Sequence, residues 1–395
     1  MSTVTLGELC SFVNGGAWSD SDYCHTGIPV LKVSNCKNSG FSLSEISYLS
    51  HDLREKYKQN KLQIDDIIIA TVGSHPQMVE SAAGRSCIVT HEVVGYYLNQ
   101  NAVCIRTVNP SVLDQKYLFY LSKTKKFMHY IQNRGKGAAN QMRIAIGAIK
   151  DYTLELPRIA EQRRIVAILS AYDGLIENNQ KQIKLLEEAA QRLYKEWFVD
   201  LRFPGWENTK IVDGVPEGWE RLPLPQIADI QYGFAFDGSL FNSSGYGTPI
   251  VRIRNIPDAE TSDFTSEEAS SEYLINNGDI IVGMDGEFHI NSWAGGQAYL
   301  VQRTCCIRPK IEKMRGWLLY SIHEPIKYFE KTIVGATVAH LGKKHLDSIT
   351  LLVPTEELYA PFISIFNKRQ ILMEENIKLR EARDKLIYIL MDKRV

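Results

Sequence analysis

A chain of 395 residues with 44% hydrophobic and 23% charged residues has the composition of a soluble globular protein and room for two or three domains. No run of about 18 apolar residues occurs, which excludes a membrane-spanning helix, and Met1-Ser2-Thr3-Val4 does not open like a secretory signal. A net charge of −1 excludes holding nucleic acid by bulk charge alone, yet the charge is uneven: 16 Lys+Arg face 11 Asp+Glu in residues 1–150, against 13 and 19 in residues 205–353.

The first half reads as short strands and turns. Leu6 leads to Gly15-Gly16-Ala17-Trp18, and Gly27-Ile28-Pro29 opens the β-branched run Val30-Leu31-Lys32-Val33, closed by Ser34-Asn35. Asp65-Asp66-Ile67-Ile68-Ile69 predicts a buried strand, followed by the loop Gly73-Ser74-His75. A helix is expected from about Gln115 to Ile131, then a Gly-rich loop from Gln132 to Gln141.

From Pro157 to Val199 the period changes. Ile165, Leu169, Tyr172, Ile176, Asn179, Ile183, Leu186, Ala190, Leu193 and Trp197 alternate at gaps of 4 and 3, a heptad seam on a helix of about 42 residues. Pro204-Gly205 ends it.

The strand-and-turn pattern then returns in the same order. Leu224 leads to Gly233-Phe234-Ala235-Phe236, and Gly247-Thr248-Pro249 opens Ile250-Val251-Arg252-Ile253, closed by Arg254-Asn255. Gly278-Asp279-Ile280-Ile281-Val282 precedes the loop Asp285-Gly286-Glu287-Phe288-His289. Cys306-Ile307-Arg308 echoes Cys104-Ile105-Arg106, a helix is expected from about Trp317 to Lys331, and Gly335-Ala336-Thr337 echoes the Gly-rich loop. A second seam runs through Leu358, Phe362, Ile365, Arg369, Leu372, Asn376, Leu379, Arg383, Leu386 and Leu390.

Matches recurring in one order are a duplicated fold. The expected class is α+β: two similar mixed α/β heads related by a pseudo-twofold axis and separated by two long antiparallel helices forming a coiled-coil rod. The expected boundaries are 1–150 and 206–350 for the heads and 151–205 and 351–395 for the helical segments. Asn179 and Asn376 either fix the register of the rod or sit at a partly wet surface.

The signs of catalysis are missing from the sequence. No Asn-Pro-Pro-aromatic or Asp-Pro-Pro-Tyr string occurs, Asn109-Pro110-Ser111-Val112 coming closest, and there is no phosphate loop of the Gly-x-x-x-x-Gly-Lys-Ser/Thr type. The nine His lack metal-ligand spacing; His340 and His345 read as surface or DNA-facing residues. Seven cysteines without a Cys-x-x-Cys pair are expected to be buried free thiols in a reducing cytoplasm. No metal, cofactor or catalytic residue is expected.

Head, long helix, head, long helix resembles the specificity subunit of type I restriction–modification enzymes. So do Glu161-Gln162-Arg163-Arg164-Ile165, the junction from Trp197 to Gly205, and Gly214-Val215-Pro216-Glu217-Gly218-Trp219. The resemblance implies a cytoplasmic subunit that reads a split double-stranded DNA target, one half-site per head, with the rod setting the spacer. It also implies two methyltransferase subunits and restriction/translocase subunits as partners that carry the chemistry. A specificity subunit of a type II-like system and a non-DNA structural adaptor remain open.

Base edges are read by Arg or Lys at guanine, Asn or Gln at adenine, and Asp or Glu at cytosine. On that code the candidates in the first head are Lys32, Ser34, Asn35, Ser74, His75, Arg134, Lys136, Asn140 and Gln141. In the second they are Arg252, Arg254, Asn255, Asp285, His289, Thr337, His340 and Lys343. Strand alternation is expected to put Arg252 and Arg254 on one face, facing either DNA or solvent. The nine carboxylates from Asp258 to Glu287 are awkward for DNA contact and are expected mostly to face away from it.

Overall fold

The computed structural model describes residues 3–37, 40–43, 45–73, 82–137, 142–333 and 339–392. It divides into two units, Met1–Asp173 with Ala382–Val395, and Gly174–Glu381.

In the first unit the strand Ile67–Ala70 lies inside an antiparallel sheet ordered Ser86–Ile88, Ile67–Ala70, Ala102–Thr107, Cys10–Asn14. The two-residue pleat sends Ile67, Ile69, Val103 and Ile105 to one side, where they pack with Leu118, Phe127 and Ile131. Ile68 and Cys104 go to the other side, against Leu31, Leu62 and Val93. Burial on both faces explains why this strand is an unbroken apolar run. A second sheet, ordered Tyr97–Leu98, Ile28–Leu31, Ser47–Leu49, Tyr23–Cys24, carries the Gly-Ile-Pro strand at its centre. Thr3–Thr5 pairs with Thr153–Glu155, so the head is closed by its own ends.

The second unit repeats this plan. Its main sheet is ordered Ala228–Tyr232, Thr304–Pro309, Ile280–Gly283, Ile290–Ser292, and its other sheet centres on Thr248–Val251. Ile280, Val282, Cys305 and Ile307 pack with Trp317 and Leu318, while Ile281 and Cys306 pack with Val251 and Trp293. Glu220–Pro223 pairs with Thr350–Val353, closing the second head as the first is closed.

The single helix expected in each head is broken in two. In the first head Gln115–Lys123 and Lys125–Gln132 meet at Thr124, whose hydroxyl accepts from Phe127 N–H and donates to the Leu121 carbonyl. In the second, Arg315–Ser321 and His323–Thr332 meet just before Pro325, which lacks the N–H a continuous helix needs. Six of the seven cysteines are buried, and Cys24 is the exposed one. Burial pushes the Cys10 and Cys305 thiols up to about 12.

The long helices are Ile159–Tyr194, 36 residues, and Ala360–Ile387, 28 residues. Each ends in a wide π turn, Lys195–Val199 and Tyr388–Asp392. The regular part is therefore shorter than the seams suggest. Every seam position is nonetheless buried or half-buried. In the first unit Ile165 and Leu169 share a core with Ile387 and Met391, and Asp173 accepts from Arg383 (2.7 Å) and from the Tyr120 hydroxyl (2.6 Å). Gln162 is wholly buried there, with its amide bonded to Asp114 N–H and to the Val112 and Pro157 carbonyls, so this part of the Glu-Gln-Arg-Arg-Ile motif welds the helix start to the head.

In the second unit the two helical stretches run antiparallel. Asn376 meets Ile176, Glu375 meets Asn179, Arg369 meets Glu187, and Phe362 meets Tyr194, one number falling as the other rises. Asn179 and Asn376 are 5% and 3% exposed, which disfavours the wet-surface reading. The junction motif is a packing device: Phe198 and Phe203 close on Trp219 at ring distances of 5.4 and 4.6 Å, and Phe198 also touches Trp317 and Phe362.

Candidate nucleic-acid interface

In each head one backbone pairing brings together the two loops that the sequence marks. In the first head Met142–Arg143 returns beside Val72–Gly73, with Arg143 opposite Val72. Thr71 lies just before this pair; its N–H donates to the Asn101 carbonyl and its carbonyl accepts from Ile144 N–H, both at 2.8 Å. In the second head Met284 donates to the Arg303 carbonyl (2.9 Å) and accepts from Leu341 N–H (2.8 Å), and Asp285 bridges to His340. These bonds make Val72 equivalent to Asp285, Asn101 to Arg303, and Arg143 to His340.

A cleft of about 240 Å³ opens at this place in the first head, walled by Asn14, Gly15, Gln100, Asn101, Arg143 and Ile146. Gly15 is required by close approach: a Cβ there would lie 1.8 Å from the Asn99 carbonyl oxygen, and one on the equivalent Gly233 2.0 Å from that of Val301. In the second head the matching positions hold an ionic group. Asp285 Oδ1 lies 2.6 Å from His340 Nδ1, Asp285 Oδ2 lies 3.4 Å from Arg303 Nε, and Arg303 Nη1 lies 3.3 Å from His340 Nδ1.

The candidate residues separate by what holds them. Arg134 and Lys136 are exposed on the loop after the second short helix; the Arg134 guanidinium lies 3.7 Å from the Tyr130 ring centre, and Lys136 exchanges both backbone bonds with Arg143. Lys32 lies over Tyr23 at 4.4 Å, beside exposed Ser34. Asn35 is 5% exposed, its oxygen accepting from Lys32 N–H and its amide donating to the Ser42 and Glu45 carbonyls, so it braces the turn. Asn255 repeats the first of these bonds with Arg252 N–H.

Arg252 and Arg254 do not share a strand face, because the strand ends at Val251 and Ile253–Asn255 is a 3-10 turn. Arg252 lies over Phe241 at 5.6 Å, whereas Arg254 forks onto nearly buried Asp263 at 2.7 Å. His289 lies 3.7 Å from Glu287, and Lys343 is exposed at the start of the helix Lys343–Ser348. His345 is half-buried: its ring accepts from Gly342 N–H and packs 5.1 Å from Phe329. Ser74, His75, Asn140, Gln141 and Thr337 lie outside the described residues.

Arginines account for much of the acid in the second head. Asp263 takes Arg254, Asp279 takes Arg308 and Arg315, Glu260 takes Arg380, and Asp285 takes Arg303. Among the described residues no cluster of three or more His, Cys, Asp or Glu could hold a metal ion, and no helix is long and apolar enough to cross a membrane.

Sequence reading missed Asn101, Arg143 and Arg303. The repeat anchored on Cys104-Ile105-Arg106 and Cys306-Ile307-Arg308 extends back to Gln100-Asn101 and Gln302-Arg303, which was the available signal.

The duplicated heads have a counterpart among known proteins. The profile described as "Type I restriction modification DNA specificity domain" matches residues 1–188 and again 216–380. The chain belongs to this family. A relative in it, the type I restriction enzyme MjaIX specificity subunit of Methanocaldococcus jannaschii, is 26% identical over 69% of this chain and 67% of its own. The putative MjaX specificity subunit of the same organism is 23% identical over 98% of this chain and 91% of its own. The crystal structure of a type I restriction–modification S subunit from M. genitalium shares the fold, with a TM-score of 0.55 at 15% identity over 98% of this chain and 95% of that one. Membership of the family accounts for two similar heads with long helices on one chain.

Proposed function

We propose that this chain is the non-catalytic specificity subunit of a type I restriction–modification complex, reading a bipartite double-stranded DNA target. Residues 1–150 and 206–350 each read one half-site, and the helical segments 151–205 and 351–395 set the spacer. Two methyltransferase subunits and the restriction/translocase subunits assemble on it in the cytoplasm and supply methylation, cleavage and ATP-driven movement. The chain itself needs no cofactor.

The observation that carries this reading is the duplicated head whose frame is kept while the side chains at one loop pairing change: Val72, Asn101 and Arg143 stand where Asp285, Arg303 and His340 stand. A shared frame with different polar groups at one place suits two readers of different half-sites. Lys32, Ser34, Arg134 and Lys136 are the contacts proposed for the first head, and Arg252, Asp285, His289, His340 and Lys343 for the second. Asn35, Arg254 and Asn255 act by shaping those loops. Ser74, His75, Asn140, Gln141 and Thr337 remain proposed contacts on sequence grounds. Backbone phosphates position a reader while base edges specify, so an almost neutral reader fits a complex in which partners hold the phosphates.

Exchanging residues 1–150 for the matching head of a relative tests the reading. Methylome sequencing of cells carrying the hybrid with its methyltransferase is expected to show one altered half-site and one intact. Change in both halves, or in neither, would overturn one head per half-site.

A further inference from the structure

We infer that the turn residue at this loop pairing, Asn101 in the wall of the first head's cleft and Arg303 at the matching place in the second head, selects a base: Asn101 an adenine and Arg303 a guanine. The inference rests on the reading of the heads as DNA readers and names the groups that do the selecting.

The two positions are the same place in the fold. Each carbonyl accepts from the residue just after the buried central strand, Thr71 or Met284, and each follows an exposed glutamine, Gln100 or Gln302. Each also has a left-handed backbone, φ 72° at Asn101 and 70° at Arg303. Asn enters that conformation readily, while Arg has no local reason to be there. An arginine at a strained turn is therefore placed for its side chain.

That side chain is exposed but oriented. Asp285 sits 3.4 Å from Nε and His340 3.3 Å from Nη1, and His340 is itself fixed to Asp285 at 2.6 Å. No described residue bonds Nη2, so the fork keeps a donor edge. An ion pair 57% and 30% exposed contributes little to folding, which removes stability as the reason for the group. Asp285 and His340 replace Val72 and Arg143 of the first head, so the whole support changes together with the turn residue. Asn presents the paired donor and acceptor that match adenine N7 and N6, and Arg presents the two donors that match guanine O6 and N7.

The test uses the full chain assembled with its methyltransferase partner and a duplex library randomised over both half-sites. Arg303→Asn places the first head's residue at the same turn, where it suits the backbone, so folding is expected to be kept; the melting temperature and the unchanged first half-site check this. Guanine preference at one position of the second half-site should fall by about 5- to 150-fold, the equivalent of one bidentate contact. Arg303→Lys keeps the charge and a donor for guanine but not the planar fork, so it should keep part of the preference that Arg303→Asn loses. An unchanged preference in Arg303→Asn overturns the inference. So does an affinity loss uniform over all sequences, with a shallower salt dependence and rescue by Lys, because that marks a phosphate contact. A wild-type complex with no sequence preference at all would instead bring down the DNA-reading function, and this inference with it.

Discussion

Asp66 and Asp279 are 2% and 5% exposed, and each is gripped by a guanidinium from the neighbouring strand. Arg106 reaches Asp66 through Nε at 2.6 Å and Nη2 at 2.7 Å; Arg308 reaches Asp279 at 3.0 and 2.6 Å. The same guanidinium also donates to a backbone carbonyl, Lys61 in one head and Leu274 in the other. Removing one partner of a buried pair strands the other charge, which costs about 3–5 kcal/mol. Asp279→Ala is therefore expected to lose up to about that much in urea unfolding, and Asp279→Leu with Arg308→Met should recover only part of it, because Arg315 and the Asn276 N–H also lose Asp279 as a partner. A loss below about 1 kcal/mol in the single variant would show that solvent at the partly exposed Arg308 screens the pair and that it does not hold the head. Both arginines were legible as part of the repeat. Their partners were legible only as neighbours of an apolar strand, since the ion pair forms across some 30 to 40 residues of chain.

Among the elements, the long helices show how a polar residue in an apolar seam is used. Arg369 spans three groups, Glu187, Ser292 and Asn291, and so ties the helix pair to a strand of the second head. Arg383 is held by Asp173 within the first unit. Asn376 is the poorest fit: its amide donates to the Ile176 carbonyl at a long 3.4 Å, and its oxygen is buried without a partner. A buried unsatisfied acceptor costs about 1–3 kcal/mol, against about 1 kcal/mol from a weak bond. Asn376→Leu is accordingly expected to raise stability by roughly 1 kcal/mol in thermal unfolding. A fall would show that Asn376 contributes to helix pairing more than its geometry suggests. The seams were readable because the heptad period is local in the chain. The break of each short helix in two was not read, because the Thr124 cap and Pro325 lie inside otherwise continuous helical patterns.

For the whole molecule, the proposed division of labour makes the long helices a ruler. Inserting Leu-Glu-Glu-Ala after Ala189 adds about one turn, or ~6 Å at ~1.5 Å per residue. One turn leaves the apolar stripe roughly in place, so the helix pair should survive. With a rise of ~3.4 Å per base pair, the unread spacer should lengthen by up to about two base pairs while both half-sites stay the same. Methylome sequencing reads this directly, and an unchanged spacer with full activity would show that helix length does not set it.

The sequence by itself determined the duplication, the order of strand and turn motifs along each copy, the two seams and the family resemblance. All of these rest on periodicities and motifs written in consecutive residues. It also contained the charge imbalance, but not its resolution: Asp263, Asp279, Glu260 and Asp285 pair with arginines at sequence separations from 9 residues for Asp263 to 120 for Glu260, which no single local pattern records. The grouping of the proposed base-reading positions was decided only in three dimensions. Asn101, Arg143, Arg303 and His340 belong together because a return strand crosses beside a buried one, and nothing in a local pattern records that crossing. Tertiary structure likewise distinguished Asn35 and Arg254, which are braced by hydrogen bonds inside the loops, from the exposed Ser34, Lys136 and Lys343, because burial and hydrogen-bond partners are properties of the packed head and not of the residue type.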